Sequence, residues 1–167
     1  MKNIEIRERI VDDVGRFCEF ITKLDNEAQY MLCEKDERNV SKDIIKRNIE
    51  NIIDNNDACY IALNENIIIG FIIAVREKFI RTKHSSKIVV GILEDYCSHG
   101  IGYELFQNAF KWAETNGIKR LELTVITENT RAVNLYKKLG FKIEGLKEMS
   151  TLINGKYYDE YYMAKLL

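Results

Sequence analysis

Two apolar runs set the terms for this fold. Ile67 to Val75 is unbroken over nine residues, and Ile88-Val89-Val90-Gly91-Ile92-Leu93 is nearly continuous and rich in β-branched side chains. Both fall well short of the roughly 20 residues a membrane span needs. They read instead as strands, the second as a central strand covered on both faces. Such a sheet needs helices packed on it, and the rest of the sequence supplies them.

Ile4 and Ile6 alternate with Glu5 and Arg7, which predicts a short first strand. Val11, Val14, Phe17, Cys18, Ile21 and Leu24 recur at helical spacing, and a polar stretch follows at Glu27–Asn39. Ser41 reads as the N-cap of a second helix carrying Ile44, Ile45, Ile49, Ile52 and Ile53. Strands at 58–64 and 67–77 meet at a tight turn, Asn64-Glu65-Asn66. After the Ile88–Leu93 strand comes a helix with Leu105, Phe106, Ala109, Phe110, Trp112 and Ala113 on its apolar side, and Gly117 as C-cap. Leu121–Val125 is a strand, Asn129–Leu139 a short helix, and Phe141–Leu167 a hairpin turning at Asn154-Gly155. The order β-α-α-β-β-β-α-β-α-β-β predicts a mixed sheet with helices on it, an α+β (mixed α/β) single domain over 1–167.

Composition narrows the function. Lys plus Arg number 25 and Asp plus Glu 26, a formal net charge of −1. This argues against a nucleic-acid partner held through phosphates. With 46% hydrophobic residues the chain is not disordered. Met1-Lys2-Asn3-Ile4-Glu5-Ile6 lacks the apolar middle of a signal peptide. Cys18, Cys33, Cys59 and Cys97 show no CxxC or metal-ligand spacing, so no metal is expected. Cys18 and Cys59 read as small core residues, and a reducing cytoplasm is the expected location. No membrane partner is expected. There is no proline, repeat or linker.

Two segments carry chemistry. In Tyr96-Cys97-Ser98-His99-Gly100-Ile101-Gly102-Tyr103, two glycines lead from a strand into a helix. Helix-start N–H groups and the helix dipole together make a phosphate seat; the same residues also suit a turn that merely needs glycine. Neither a GxGxxG fingerprint nor a P-loop is present, which disfavours a dinucleotide or ATP. The second segment is Asn129-Thr130-Arg131-Ala132-Val133-Asn134-Leu135-Tyr136-Lys137-Lys138-Leu139-Gly140-Phe141. Asn129 and Tyr136 lie two turns apart on one helix face. Alone, Asn129 reads equally as an N-cap and Tyr136 as a packing residue.

A strand, a glycine turn, a helix, a strand, and N-x-x-A-x-x-L-Y-x-x-x-G-F in that order resembles the GNAT superfamily of N-acetyltransferases. The resemblance runs from Ile88 to Phe141, about a third of the chain. Arg81-Thr82-Lys83-His84, Lys142-Ile143-Glu144-Gly145 and Asn154 to Ala164 are similar to a bacterial branch that includes acetyltransferases of free amino acids. The resemblance implies an acyl-CoA N-acyltransferase fold, a central, mostly antiparallel mixed sheet flanked by about four helices. It implies acetyl-CoA as donor. Val90, Gly91 and Ile92 would pair with the pantetheine arm where two parallel strands splay. Cys97, Ser98, His99, Gly100, Ile101, Gly102 and Tyr103 would hold the pyrophosphate through backbone N–H groups. Asn129 would contact the cofactor, and Tyr136 would protonate the departing thiolate. Four positions depart from the family pattern, His99 among them, standing where a basic residue is frequent. Cys97 stands where Arg or Gln is usual, Glu94 where proline is frequent, and Thr124 where a ribosomal-protein branch has its catalytic Glu.

An amine attacks a thioester only when neutral. An α-amine, with pKa about 7.7–8.0, reaches that state far more readily than a side-chain ammonium at about 10.4. The expected acceptor is therefore a small-molecule amine such as an amino acid, attacked directly in a ternary complex. A protein N-terminus or a polyamine is the alternative. Glu122, Glu94 and His84 are candidate bases, each also readable as a surface residue. Tyr157, Tyr158, Tyr161 and Tyr162 suit an acceptor wall, sheet packing or a homodimer surface equally; alternation lets at most half face one pocket. A non-catalytic acyl-CoA sensor and a small kinase are rival readings from other classes.

Overall fold

Ile67–Arg76 and Ser85–Ile92 are indeed strands, the third and fourth of seven. The structure, a computed structural model, describes residues 4–167; the expectation drawn from Met1-Lys2-Asn3 falls outside them. Chain order is β1 (Ile4–Glu8), α1 (Val14–Glu27), α2 (Lys42–Asp54), β2 (Ala58–Asn64), β3 (Ile67–Arg76), β4 (Ser85–Ile92), α3 (Ile101–Thr115), β5 (Arg120–Ile126), α4 (Thr130–Lys138), β6 (Lys142–Ile153) and β7 (Lys156–Leu166). This is the expected order. Short 3-10 turns precede α1 and follow β4. The strands form one mixed sheet in the order β1-β2-β3-β4-β5-β7-β6. β1–β2, β2–β3, β5–β7 and β6–β7 pair antiparallel and β4–β5 parallel.

The chain divides into two compact units. The first holds Met1–Val75 and Val89–Trp112. In α1, Phe17, Phe20, Ile21 and Leu24 are buried, while Val14 and Cys18 are only half-buried. The helix is thus rotated slightly from the face its spacing suggests, because Phe20 joins Phe17 and Phe71 in an aromatic cluster. The Phe17–Phe71 and Phe20–Phe71 ring centroids lie 5.7 and 5.8 Å apart, edge to face. Such pairs add about 0.5–1.5 kcal/mol beyond their buried area. Ser41 caps α2 as expected, its Oγ accepting from the Ile44 N–H at 3.3 Å. Arg38 ties the loop between α1 and α2 back to Asp25 of α1, at 2.6 Å. At the start of the chain the Asp13 carboxylate, its side chain fully enclosed, takes hydrogen bonds from Arg7, Arg16 and the Ile10 N–H.

The second unit holds Arg76–Ile88 and Ala113–Leu167. Ile118, Leu121, Met163, Val133, Leu139 and Phe141 form its core. The β6–β7 hairpin turns where expected: Asn154 and Gly155 have φ of 50 and 79°, the double positive φ of a type I′ turn. The parallel ladder spans only Ser85–Lys87 against Arg120–Glu122. β4 continues past it to Ile92, and there the expectation of cover on both faces fails: Val89 is 49% exposed. β3 by contrast is buried on both faces from Ile68 to Ile72.

Candidate functional site

In the first unit, β4 delivers the chain to the glycine turn. Gly91 is fixed by packing: a Cβ there would sit 2.6 Å from Leu24 Cδ2 and 2.7 Å from Phe71 Cε1. Val90 and Ile92 are half-buried on the opposite pleat. After Leu93 a single 3-10 turn, Glu94–Tyr96, closes with the Cys97 N–H on Glu94 O at 3.0 Å. Cys97 folds its thiol back toward Ile92 O and Leu93 O, at 3.7 and 3.5 Å. Its side chain closes the turn rather than reaching outward.

Ser98 has φ 63° and Gly100 φ 85°, with exposed His99 between them. Two left-handed residues one apart turn successive N–H groups toward one side, a concavity suited to anions. Ile101 then starts α3, and the Glu104 N–H makes the first backbone bond back, to Gly100 O at 3.1 Å. Before that bond the first-turn amides have no carbonyl one turn earlier. Gly100, the residue preceding the helix, has no side chain with which to cap them. Ile101 is buried and Tyr103 is 43% exposed, so the turn is anchored below and open above. A Cβ built on Gly100 meets nothing within 4 Å. A pyrophosphate fits this arrangement: clustered donors, a helix dipole and no side chain in the way.

The second unit holds the other two predicted residues. Asn129 is the N-cap of α4, its Oδ1 accepting from the Ala132 N–H at 3.2 Å. Its carbonyl end is therefore occupied, and its NH2 end is the one that can serve a ligand. Tyr136 is buried, with its ring centroid 6.0 Å from that of Phe141. Burial pushes its phenol well above the ordinary tyrosine range, so it stays protonated throughout the neutral range. The cofactor-loop residues and Val90–Ile92 thus share one unit, while Asn129 and Tyr136 belong to the other.

A strand ending in a glycine turn, followed by a helix, a strand and the Asn129–Phe141 helix, is the order the resemblance implied. The model of the Acetyltransferase (GNAT) family matches residues 19–141, well over half of the chain. The chain belongs to the GNAT family.

Among curated relatives, this GNAT chain is 49% identical over 49 residues to L-amino acid N-acetyltransferase AaaT of Escherichia coli, 29% of the chain and 30% of that protein. It is 39% identical over 61 residues to an N-alpha-acetyltransferase of Sulfurisphaera tokodaii, 36% of each. The chain thus matches about a third of the length of these relatives. Solved structures match it from end to end. A GNAT-family acetyltransferase of Streptococcus pneumoniae superposes with a TM-score of 0.94 at 29% identity, covering 99% of this chain and all of that one. YncA of Salmonella typhimurium, solved with its cofactor acetyl-CoA, shares the fold with a TM-score of 0.88 at 16% identity, covering 99% and 95%. The mixed α+β architecture is therefore the GNAT fold.

One of the GNAT chain's candidate bases is less free than its sequence suggests. Glu122 is paired with Arg120, Oε2 to Nε at 3.0 Å. His84 is exposed, and its carbonyl takes the Lys119 N–H at 2.8 Å. Glu94 is exposed and its N–H is bound by Glu27, a contact no motif announces. Sequence reading also misses Glu160 of β7. Burial would raise its carboxyl, but hydrogen bonds from Ser150, Lys147 and Thr124 hold it below the usual carboxylate range. Ser150 reaches it across an irregular stretch of β6 between Lys147 and Thr151, which residue spacing does not reveal. Tyr158 and Tyr162 lie on one face of β7 and Tyr157 and Tyr161 on the other, as alternation requires. Among the described residues no cluster of three or more His, Cys, Asp or Glu is placed to hold a metal.

Proposed function

We propose that this chain transfers the acetyl group of acetyl-CoA to the primary amine of a small molecule, such as a free amino acid, by direct attack with both substrates bound. The observation that carries this reading is the α3 start. Ser98 and Gly100 with positive φ, and a helix start whose preceding residue has no side chain, put backbone amides where a pyrophosphate would sit. The same seat explains how Cys97 can replace the usual Arg or Gln, because backbone does the holding. Acetyl-CoA, when bound, supplies an acyl group activated as a thioester.

In this reading Val90 to Ile92 offer backbone groups to the pantetheine arm, and Asn129 adds its NH2. Tyr136 supports the departing sulfur. A parent thiol has pKa about 8.5, and the buried phenol is a much weaker acid than that. Tyr136 therefore acts first as a hydrogen-bond donor to the developing negative charge, with full proton transfer the harder step. Positioning of two substrates supplies most of the remaining rate. The amino-acid acceptor draws support from the short stretch shared with AaaT and from the α-amine's pKa. Four free thiols fit a reducing cytoplasm. Tyr157 and Tyr162, each about half exposed, lie on opposite faces of β7, so one of them suits an acceptor wall and the other a surface between two copies.

Coenzyme A at about 100 times its Kd should raise Tm by roughly 5–10 °C. Thiol release from acetyl-CoA, assayed against amino acids, polyamines and peptides, should then identify the acceptor. Absence of any thermal shift at saturating coenzyme A would sink the reading. A shift without turnover on any amine would favour the acyl-CoA sensor instead.

A further inference from the structure

A chain without proline brings a backbone N–H at every position after the first. At Glu94 this matters. Leu93 has φ −57° and ψ 142°, the extended backbone that precedes a proline. Glu94 is the first residue of the 3-10 turn, the place where a proline loses nothing because its N–H has no partner within the turn. This chain has a donor there, and the donor is taken. Glu27 Oε1 accepts the Glu94 N–H at 2.6 Å.

Glu27 is an unusual residue to find in that place. It is the last residue of α1, where the helix dipole disfavours a carboxylate by about 0.3–1 kcal/mol. A local preference broken in this way marks a residue held for another purpose. The half-buried carboxylate reaches out of α1 to the backbone that opens the phosphate seat, four residues before Ser98. Two other contacts secure the same turn. Asn64 Nδ2 donates to Tyr96 Oη at 3.3 Å, and the Cys97 thiol folds onto the carbonyls ending β4. Of the three, only the Glu27 contact is a charge-assisted bond to backbone, and it comes from an element outside the sheet and the turn.

We infer that Glu27 is a positioning residue for acetyl-CoA: it fixes the backbone at Glu94 and so sets the direction of the Ser98–Gly102 amides. It touches neither substrate nor reacting atom and acts through the turn. The inference rests on reading that turn as the cofactor seat.

The test is a double-mutant cycle with Glu94→Pro, which removes the donor and stiffens the turn in the conformation Leu93 already prepares. Glu27→Ala should raise KM for acetyl-CoA about tenfold, the equivalent of about 1.4 kcal/mol, with kcat changed less than about twofold. Glu27→Gln keeps the accepting oxygen and should retain most of the wild-type KM. On the Glu94→Pro background, Glu27→Ala should change KM less than about twofold, since nothing is left for it to hold. An equal rise on both backgrounds, an unchanged KM in Glu27→Ala, or a Gln variant as poor as Ala would each overturn the inference. Amide hydrogen exchange of ligand-free protein gives a second readout, independent of catalysis. Exchange at Ser98–Gly102 should quicken in Glu27→Ala and slow again in the double variant; unaltered exchange would also overturn it. A wild-type protein that ignores acetyl-CoA would defeat the functional reading, and the exchange measurement would still decide whether Glu27 orders the turn.

Discussion

Helices α2 and α4 begin on residues whose side chains close the first turn, whereas α3 begins on a residue with no side chain. Ser41 and Asn129 each accept an N–H of their helix, at 3.3 and 3.2 Å. Gly100 cannot. Glycine at that position gives up only a few tenths of a kcal/mol relative to Ser or Asn, a small stabilisation that α3 goes without. It holds because Ile101, Leu105, Phe106 and Ala109 are at most 2% exposed, and that buried face stabilises the helix without a cap. The difference separates two uses of one feature. One first-turn amide at α2 and one at α4 is bound by a capping side chain, whereas at α3 Gly100 has no side chain to offer and the helix dipole faces an open turn.

The comparison breaks most sharply at Gly100. Gly100→Val should abolish coenzyme A binding, a loss of at least about 100-fold in affinity. Two causes add: a branched residue at φ +85° is strained by about 1–2 kcal/mol or more, and its side chain would project where the phosphates must approach. Gly117 provides the control. It too has a positive φ, 69°, and a Cβ there also meets nothing within 4 Å, but it closes α3 rather than opening it. Gly117→Val should lower Tm by a similar amount and leave coenzyme A binding alone. Equal loss of binding in both variants would mean that strain, not the seat, accounts for the effect.

The second difference concerns what each helix contributes beyond its first turn. α3 is proposed to bind through backbone; α4, closed by Asn129, must act through side chains, of which Tyr136 is the buried polar one. Tyr136→Phe should lower kcat about 100-fold, within the range for a positioned proton donor, with coenzyme A affinity nearly unchanged. An unaltered kcat in the calorimetrically folded variant would leave Tyr136 a packing residue beside Phe141.

A subtler contrast lies between the two caps themselves. Ser41→Ala and Asn129→Ala should each cost about 1 kcal/mol of stability, read as a lowered urea midpoint at constant slope. If the Asn129 NH2 also serves the cofactor, only Asn129→Ala should raise the acetyl-CoA KM, by about threefold. Matching KM values in both variants would confine Asn129 to capping.

What was legible in the sequence follows the range of the interactions involved. Helix and strand positions were legible because burial imposes a period on neighbouring residues: Ser41, Asn154-Gly155 and the α3 face all stand where spacing put them. The glycine turn before α3 was legible because glycines at a helix start answer to local backbone geometry. Contacts made across long separations left no such trace. Glu27 meets Glu94, and Glu160 gathers Ser150 and Thr124, only once distant segments are folded together. Val89 misled for the same reason, since its exposure depends on where the β4–β5 ladder stops and not on its own apolar neighbours. The acceptor is hidden still more deeply. Pockets for small molecules are built from side chains of several elements, and no motif marks one in this sequence.

The smallest predicted effect is the one that best tests a seat made of backbone. Cys97 stands where the family usually places Arg or Gln, so a side-chain-based seat would make this position sensitive. Here the thiol points back to the carbonyls of Ile92 and Leu93 at distances that make weak bonds. Cys97→Ala should therefore change coenzyme A affinity less than about twofold, within about 0.4 kcal/mol, and lower Tm only slightly through lost packing. A loss of tenfold or more would show that the thiol itself takes part in binding. The contrast between α3 and the capped helices would then lose its basis, because the α3 start would also depend on a side chain.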